Sequence, residues 1–112
     1  MSTVYAPQQP SRYDPATKLW VPTVNLTPAK RYGDLEIIFP PGASTLAIAP
    51  VLRVLRERMR GYLPTDFLLA VGDPVLIAAA AMIASRNTAG HPVQLLKWDR
   101  MASDYLLVSI NP

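Results

Sequence analysis

The stretch Phe67–Ala84 constrains this chain more than any other. Phe67-Leu68-Leu69-Ala70-Val71 is apolar at every position, Gly72 interrupts it, and Asp73-Pro74 opens a second apolar run, Val75–Ala84. A strand with no polar side is usually central in a sheet covered on both faces. Asp at the N-cap followed by Pro at the first helical position is a strong helix start. The pattern predicts a helix from Pro74 to about Asn87, ended by Gly90. At 100° per residue, Val75–Ala84 point in every direction, and only Ser85 and Arg86 are polar. A helix that is apolar all round must be covered all round. One side can lie on the sheet. The other either is an Ala-rich surface left to solvent, since exposed alanine costs little, or is covered by the N-terminal segment or another subunit.

The chain around this stretch alternates strands and helices. Leu35–Phe39 reads as a strand closed by Pro40-Pro41-Gly42, and a first helix runs from about Ser44 or Thr45 to Arg60, with Gly61 as its stop. Pro50 falls in its first turn. Val93–Trp98 is a further strand, and Tyr105–Ile110 returns antiparallel after a turn at Asp99–Asp104, with Trp98 and Tyr105 flanking the turn and placed to pair across it. The expected fold is α/β, in the order β-α-β-α-β-β. Its small, mostly parallel sheet has an antiparallel edge strand, because crossovers through helices make strands parallel.

Residues 1–33 differ in composition. They hold five of the twelve prolines, which remove backbone donors and keep their predecessors extended. Large side chains punctuate the segment, as purely solvating tails do not. Asp14-Pro15-Ala16-Thr17 reads as a turn and Lys18–Leu26 as extended. The expected organisation is therefore an extended Pro-rich arm, 1–33, on a single α/β domain, 34–112. Stretched out, such an arm reaches on the order of 110 Å. Tyr13, Trp20, Val21 and Leu26 are its candidate partner-binding anchors, since large aromatic and branched residues carry most interface energy.

Composition excludes several chemistries. The 112 residues contain no Cys and one His, His91, which removes thiolate metal sites and Cys nucleophiles and argues against a His-based triad. The acidic residues are scattered over separate loops, so no carboxylate pair follows from spacing. No metal, cofactor or catalytic residue is assigned, and the chain is expected not to be an enzyme. The formal charge of +3 sits in residues 1–33, where Arg12, Lys18, Lys30 and Arg31 face Asp14 alone. The rest is neutral and lacks the field that draws nucleic acid. No stretch is long and apolar enough for a membrane span, and the start lacks a secretory pattern. The chain is expected to be soluble and intracellular, or packaged into a particle built inside a cell.

Two further residue sets are candidates. In a parallel α/β sheet, ligands bind beyond the carboxyl ends of the strands. Gly42, Ser44 and Thr45 in one loop and Gly72 in another lead to helix N-termini, where free N–H groups favour an anion. No Walker or Gly-x-Gly-x-x-Gly pattern supports them, and Asp73 opposes a phosphate beside it. Arg53, Arg56 and Arg60 share one side of the first helix. They form either a basic stripe for phosphates or a solvated face with Glu57 in reach. Arg58, on the edge of the apolar side, is expected to snorkel or to meet a carboxylate.

Phe67-Leu68-Leu69-Ala70-Val71-Gly72-Asp73-Pro74, the Ala-rich helix, and Leu95-Leu96-Lys97-Trp98-Asp99-Arg100 with Tyr105 resemble small proteins encoded in tailed-phage genomes. The resemblance runs from the first strand onward and is weakest in residues 1–33. It implies a phage-encoded origin, and hence a location in the virion or the host cytoplasm, and transfers no catalytic residue. The leading expectation is a non-enzymatic assembly or interaction protein that self-associates or docks on another protein through residues 1–33 and helix 74–87. The alternatives are a small nucleotide- or nucleic-acid-binding module and an inhibitor of a host enzyme.

Overall fold

The structure, a computed structural model, describes residues 2–112; Met1 lies outside the described residues. The heart of its sheet is built from the N-terminal residues. Strand β1 (Thr3–Gln8) is hydrogen-bonded between β4 (Asp34–Phe39) on one side and β5 (Phe67–Leu69) on the other, parallel to both. β6 (Val93–Asp99) continues the sheet parallel to β5, and β7 (Asp104–Ile110) closes it antiparallel. The order is β4-β1-β5-β6-β7. The expected α/β class, mostly parallel sheet and antiparallel edge are all present.

The separate arm is not. Val4, Tyr5, Ala6 and Pro7 are buried, so Gly33 is no boundary between an arm and a domain. Pro7 argues against a central strand on sequence grounds. The fold accommodates it because the ladder to β5 pairs Val4 with Phe67 and Tyr5 with Leu68. Pro7 lies past that ladder, where a missing N–H removes no bond. After β1 the chain makes a hairpin, β2 (Ser11–Asp14) with β3 (Leu19–Pro22), around the expected Asp14–Thr17 turn. A short 3-10 turn, Thr27–Arg31, then leads to β4.

Right-handed crossovers explain which face each connection takes. From β1 the chain moves to one neighbour, β4, and from β4 it crosses back over β1 to β5. The two crossings run in opposite directions, so they cover opposite faces. Helices α1 (Ile48–Arg58) and α2 (Pro74–Asn87) pack on one face, where Val51, Leu55, Met59, Leu76, Ala80 and Ala84 meet Tyr5, Ile38, Leu68 and Val93. Leu26, Ala29 and Tyr32 cover the other face over Val4, Ala6, Leu69, Leu96 and Tyr105. Residues 1–33 thus supply the middle of the sheet and the lid on its far face, and do not lie on α2.

The helices begin where local chemistry dictates. The Asp73 carboxylate accepts from the Val75 N–H at 2.8 Å, with Pro74 next in line, as expected. α1 starts at Ile48, later than Ser44 or Thr45. Its N-cap, Ala47, offers no side-chain acceptor, and Pro50 sits in its first turn.

Candidate functional site

Two surfaces are candidates: a cleft at the strand ends and the open flank of the sheet beyond β6. The cleft, about 490 Å³, lies beyond the carboxyl ends of β1, β4 and β5. This is where the crossover direction reverses, the usual position for a ligand in such sheets. Its walls include Gln8, Gln9, Trp20, Thr23, Gly42 and Gly72. Sequence reasoning placed Gly42 and Gly72 here, and the fold does bring them together. Ser44 and Thr45 do not line it.

The chain's own side chains use the space the two glycines leave. Gly72 has φ +105°, and a Cβ there would stand 2.7 Å from the Gln8 side chain. Gly42 has φ +82°, and its Cβ would stand 2.7 Å from the Trp20 ring. Both positions need glycine for conformation and for close approach. Gln8 Oε1 accepts from the Asp73 N–H at 2.8 Å, so the first donors of α2 are already engaged by Gln8 and Asp73. Gln9 is buried, and its Nε2 donates to the Val24 carbonyl at 2.9 Å and the Pro10 carbonyl at 3.2 Å. The cleft wall is tied to the sheet by these bonds.

The four expected anchors fall in different places. Tyr13 and Trp20 pair across the hairpin, edge to face, with ring centroids 5.6 Å apart, and both are about half exposed. Val21 is half-buried in β3, and Leu26 is buried in the core, which withdraws it from any partner.

At the end of α1 Arg58 pairs with Glu36, and just beyond it Arg60 pairs with Glu57, both as the sequence suggested. Arg58 Nη2 also donates to the Ile37 carbonyl at 3.3 Å. Arg53, Arg56 and Arg60 are all exposed. Arg56 shares a shallow hollow with Arg86, a proximity the helix spacing could not reveal. Asp66, at the opposite end of the sheet from the cleft, is buried. It accepts from the Thr3 N–H at 2.9 Å and the Leu63 N–H at 2.8 Å, so it fastens the central strand to the turn before β5. Burial, then the Asp66 charge and then Tyr5, push the hydroxyl of Tyr62 well above the usual tyrosine range. His91 is exposed in a loop. Among the described residues, no group of three His, Asp or Glu side chains is placed to hold a metal ion.

The open flank is of another character. α1 and α2 leave β7 uncovered, and Leu106, Leu107, Val108 and Ile110 are all exposed. Their partners in β6 fix which way each faces. Leu106, Val108 and Ile110 pair with Lys97, Leu95 and Val93 on the helix side, while Leu107 pairs with Leu96 on the far side. Beside this strip, Met82 stands 74% exposed on α2, above a mainly apolar hollow of about 200 Å³ floored by Leu95 and Ile110. Among the described residues, side chains hold only the start of β7. Arg31 pairs with Asp104 at 2.9 Å, and Arg31 and the Tyr32 hydroxyl donate to the Tyr105 carbonyl at 3.2 and 3.0 Å. Trp98 stacks edge to face on Tyr105, as the hairpin spacing implied, at 5.0 Å.

These features define a class: a small parallel α/β protein whose first strand is central and whose sheet is finished on one side and bare on the other. The chain belongs to the Phage Pam3 gp32-like protein family, which matches residues 2–112. That span includes the N-terminal strand and confirms a small phage-encoded protein. No curated protein and no solved structure matches the chain. No helix among the described residues is long and apolar enough to cross a membrane.

Proposed function

We propose that this phage protein is a non-enzymatic interaction module, and that its open flank docks on another folded chain during assembly of a phage particle. One observation carries the reading. β7 is an edge strand exposed on both faces from Leu106 onward, charge-free from Tyr105 to Ile110, and adjacent to the exposed side of an apolar helix. Natural edge strands are normally blunted by charge, proline or cover, and large contiguous apolar surfaces on small proteins mark contact sites. The total exposed surface agrees: 6916 Å², roughly 800 Å² above expectation for a folded monomer of this mass.

A second reading, anion or nucleotide binding, is favoured only by the cleft's position at the strand ends. Against it, the glycines are filled by Gln8 and Trp20, and the α2 donors are engaged internally.

Complementation tests the first reading. A phage lacking this reading frame is supplied with the wild-type chain, Val108→Lys, or His91→Ala. A lysine forced into an apolar contact weakens it by about 1.4 kcal/mol or more, roughly tenfold, and the yield of particles falls accordingly. His91→Ala stays near the wild-type yield. Full yield from Val108→Lys overturns the proposal.

A further inference from the structure

The open flank has a shape that selects its occupant. We infer that a second copy of this chain closes it, with α2 of each copy lying on the uncovered strip of β6 and β7 of the other. This rests on the interaction role proposed above and names the partner. Leu76, Ala80 and Ala84 press α2 onto its own sheet, while Val75, Ala78 and Met82 lie on the opposite side and are exposed. The strip beside α2, Leu106, Val108 and Ile110, lies on the helix side of the sheet and has no helix over it. Each copy therefore offers a helix without a cover and a sheet margin without a helix. A two-fold axis satisfies both needs at once, because an isologous contact uses the same patch twice.

The details of the patch agree. Ala81 and Ser85 face the hollow over the strip, and such small side chains let two helices approach to about 8–10 Å. Val75 and Met82 of α2 and Leu106, Val108 and Ile110 of the strip, 38–74% exposed, are the large apolar side chains each copy brings; used twice, the patch reaches about 1,000 Å², the size at which a specific interface begins. Arg86 lies on the α1 side of α2, beside Arg56, and Arg53 is on α1, so these arginines stay off the strip; Lys97, exposed beside Leu106 on the helix side of β6, is the one cation the strip carries.

The chain has no cysteine, so introduced thiols report cleanly. Met82→Cys and Val108→Cys chains are prepared separately, mixed, and treated with a short bifunctional thiol reagent. The expected product joins one chain of each kind. Light scattering of the wild type at about 100 µM, above the micromolar range of weak interfaces, gives twice 12.3 kDa. Met82→Glu and Val108→Lys each return the protein to the single-chain mass with an unchanged circular dichroism spectrum, since both sites are exposed. Mixing those two variants restores the doubled mass, because Glu and Lys then meet across one half of the contact. A doubled mass with cross-linking only between Leu107→Cys chains means the copies meet edge to edge, and overturns the helix-on-strip arrangement. A wild-type mass of 12.3 kDa overturns the second copy as occupant. If Val108→Lys still lowers the particle yield in that case, the interaction role stands with a different protein on the flank.

Discussion

The two margins of the sheet are finished differently. At the β4 margin, Asp34 and Glu36 put charge on the strand, Arg58 reaches from α1 to pair with Glu36, and the same guanidinium satisfies the Ile37 carbonyl. Such devices keep an edge strand from pairing with a neighbour. At the β7 margin, Arg31 and Tyr32 satisfy the first carbonyl, that of Tyr105. From Leu106 to Ile110, no side chain among the described residues bonds to the main chain, and four large apolar residues are exposed. Both margins belong to one sheet, so general instability does not explain the difference. The contrast supports the proposal that β7 is the contact side.

The largest expected effect sets one side against the other with a single kind of change. Leu55 is fully buried in the covered half, between α1 and the sheet. Leu55→Ala should destabilise the protein by about 2–5 kcal/mol through lost transfer energy and a residual cavity. Leu107→Ala, on the far face of the bare strand, should stay within about 1 kcal/mol, as surface changes usually do. Urea unfolding of the two variants measures this directly. Equal losses would mean that β7 is not the exposed strand described here.

Next comes the clasp of the central strand. Asp66→Ala leaves the Thr3 and Leu63 N–H groups without their acceptor. Burying unpaired donors is costly, so a loss of about 2–4 kcal/mol is expected. Amide hydrogen exchange should show the change first at β1, while β7 is unaffected. A uniform loss of protection would place the role of Asp66 elsewhere than β1.

The asymmetry also explains what could be read from the sequence. Strands β4 to β7, both helices, the Asp73 cap and the Trp98–Tyr105 pair were legible because each has a local signature: periodicity, a cap or a turn. β1 was not. Thr3–Gln8 carries a proline and no run of branched residues. Its place is set by non-local pairing, with β4 about thirty positions on and β5 about sixty. The covering of the far face by Leu26 and Ala29 was missed for the same reason, which turned a structural segment into an apparent arm. The unfinished side of α2 was visible in the sequence as a helix without a wet face. What could not be read there is that β7 leaves an empty strip beside it, since strand order is a property of the whole chain.

Alkaline pH should separate the two halves more finely. Burial raises the hydroxyl pKa of Tyr62, of Tyr5 beside it at 5.4 Å between rings, and of Tyr105. Asp66 adds to the shift for Tyr5 and Tyr62. An unfolded tyrosine ionises near pH 10. Above that pH the unfolded chain gives up protons that the fold retains, so stability is full below about 10 and falls as pH rises. Each such group contributes at most about 1.4 kcal/mol per pH unit. Urea midpoints taken below and above pH ~10 should fall for the wild type. Tyr62→Phe should flatten that fall more than Tyr105→Phe, because the shift at Tyr62 is large and that at Tyr105 comes from burial alone.

The smallest effect is the most local. Tyr105 is the one fully buried residue of β7, yet its hydroxyl has no hydrogen-bond partner. Its ring packs on Trp98, and its main-chain carbonyl is held by Arg31 and Tyr32 whatever the side chain is. A buried hydroxyl without a partner carries a desolvation cost that its removal relieves. Tyr105→Phe at neutral pH should therefore leave stability unchanged or raise it by up to about 1 kcal/mol, measured as the urea midpoint. The bare strand would then be anchored by its ring and by the Arg31 clasp alone. A clear loss would show that a bound water bridges the hydroxyl to the core, giving β7 a third anchor and narrowing its contrast with β4.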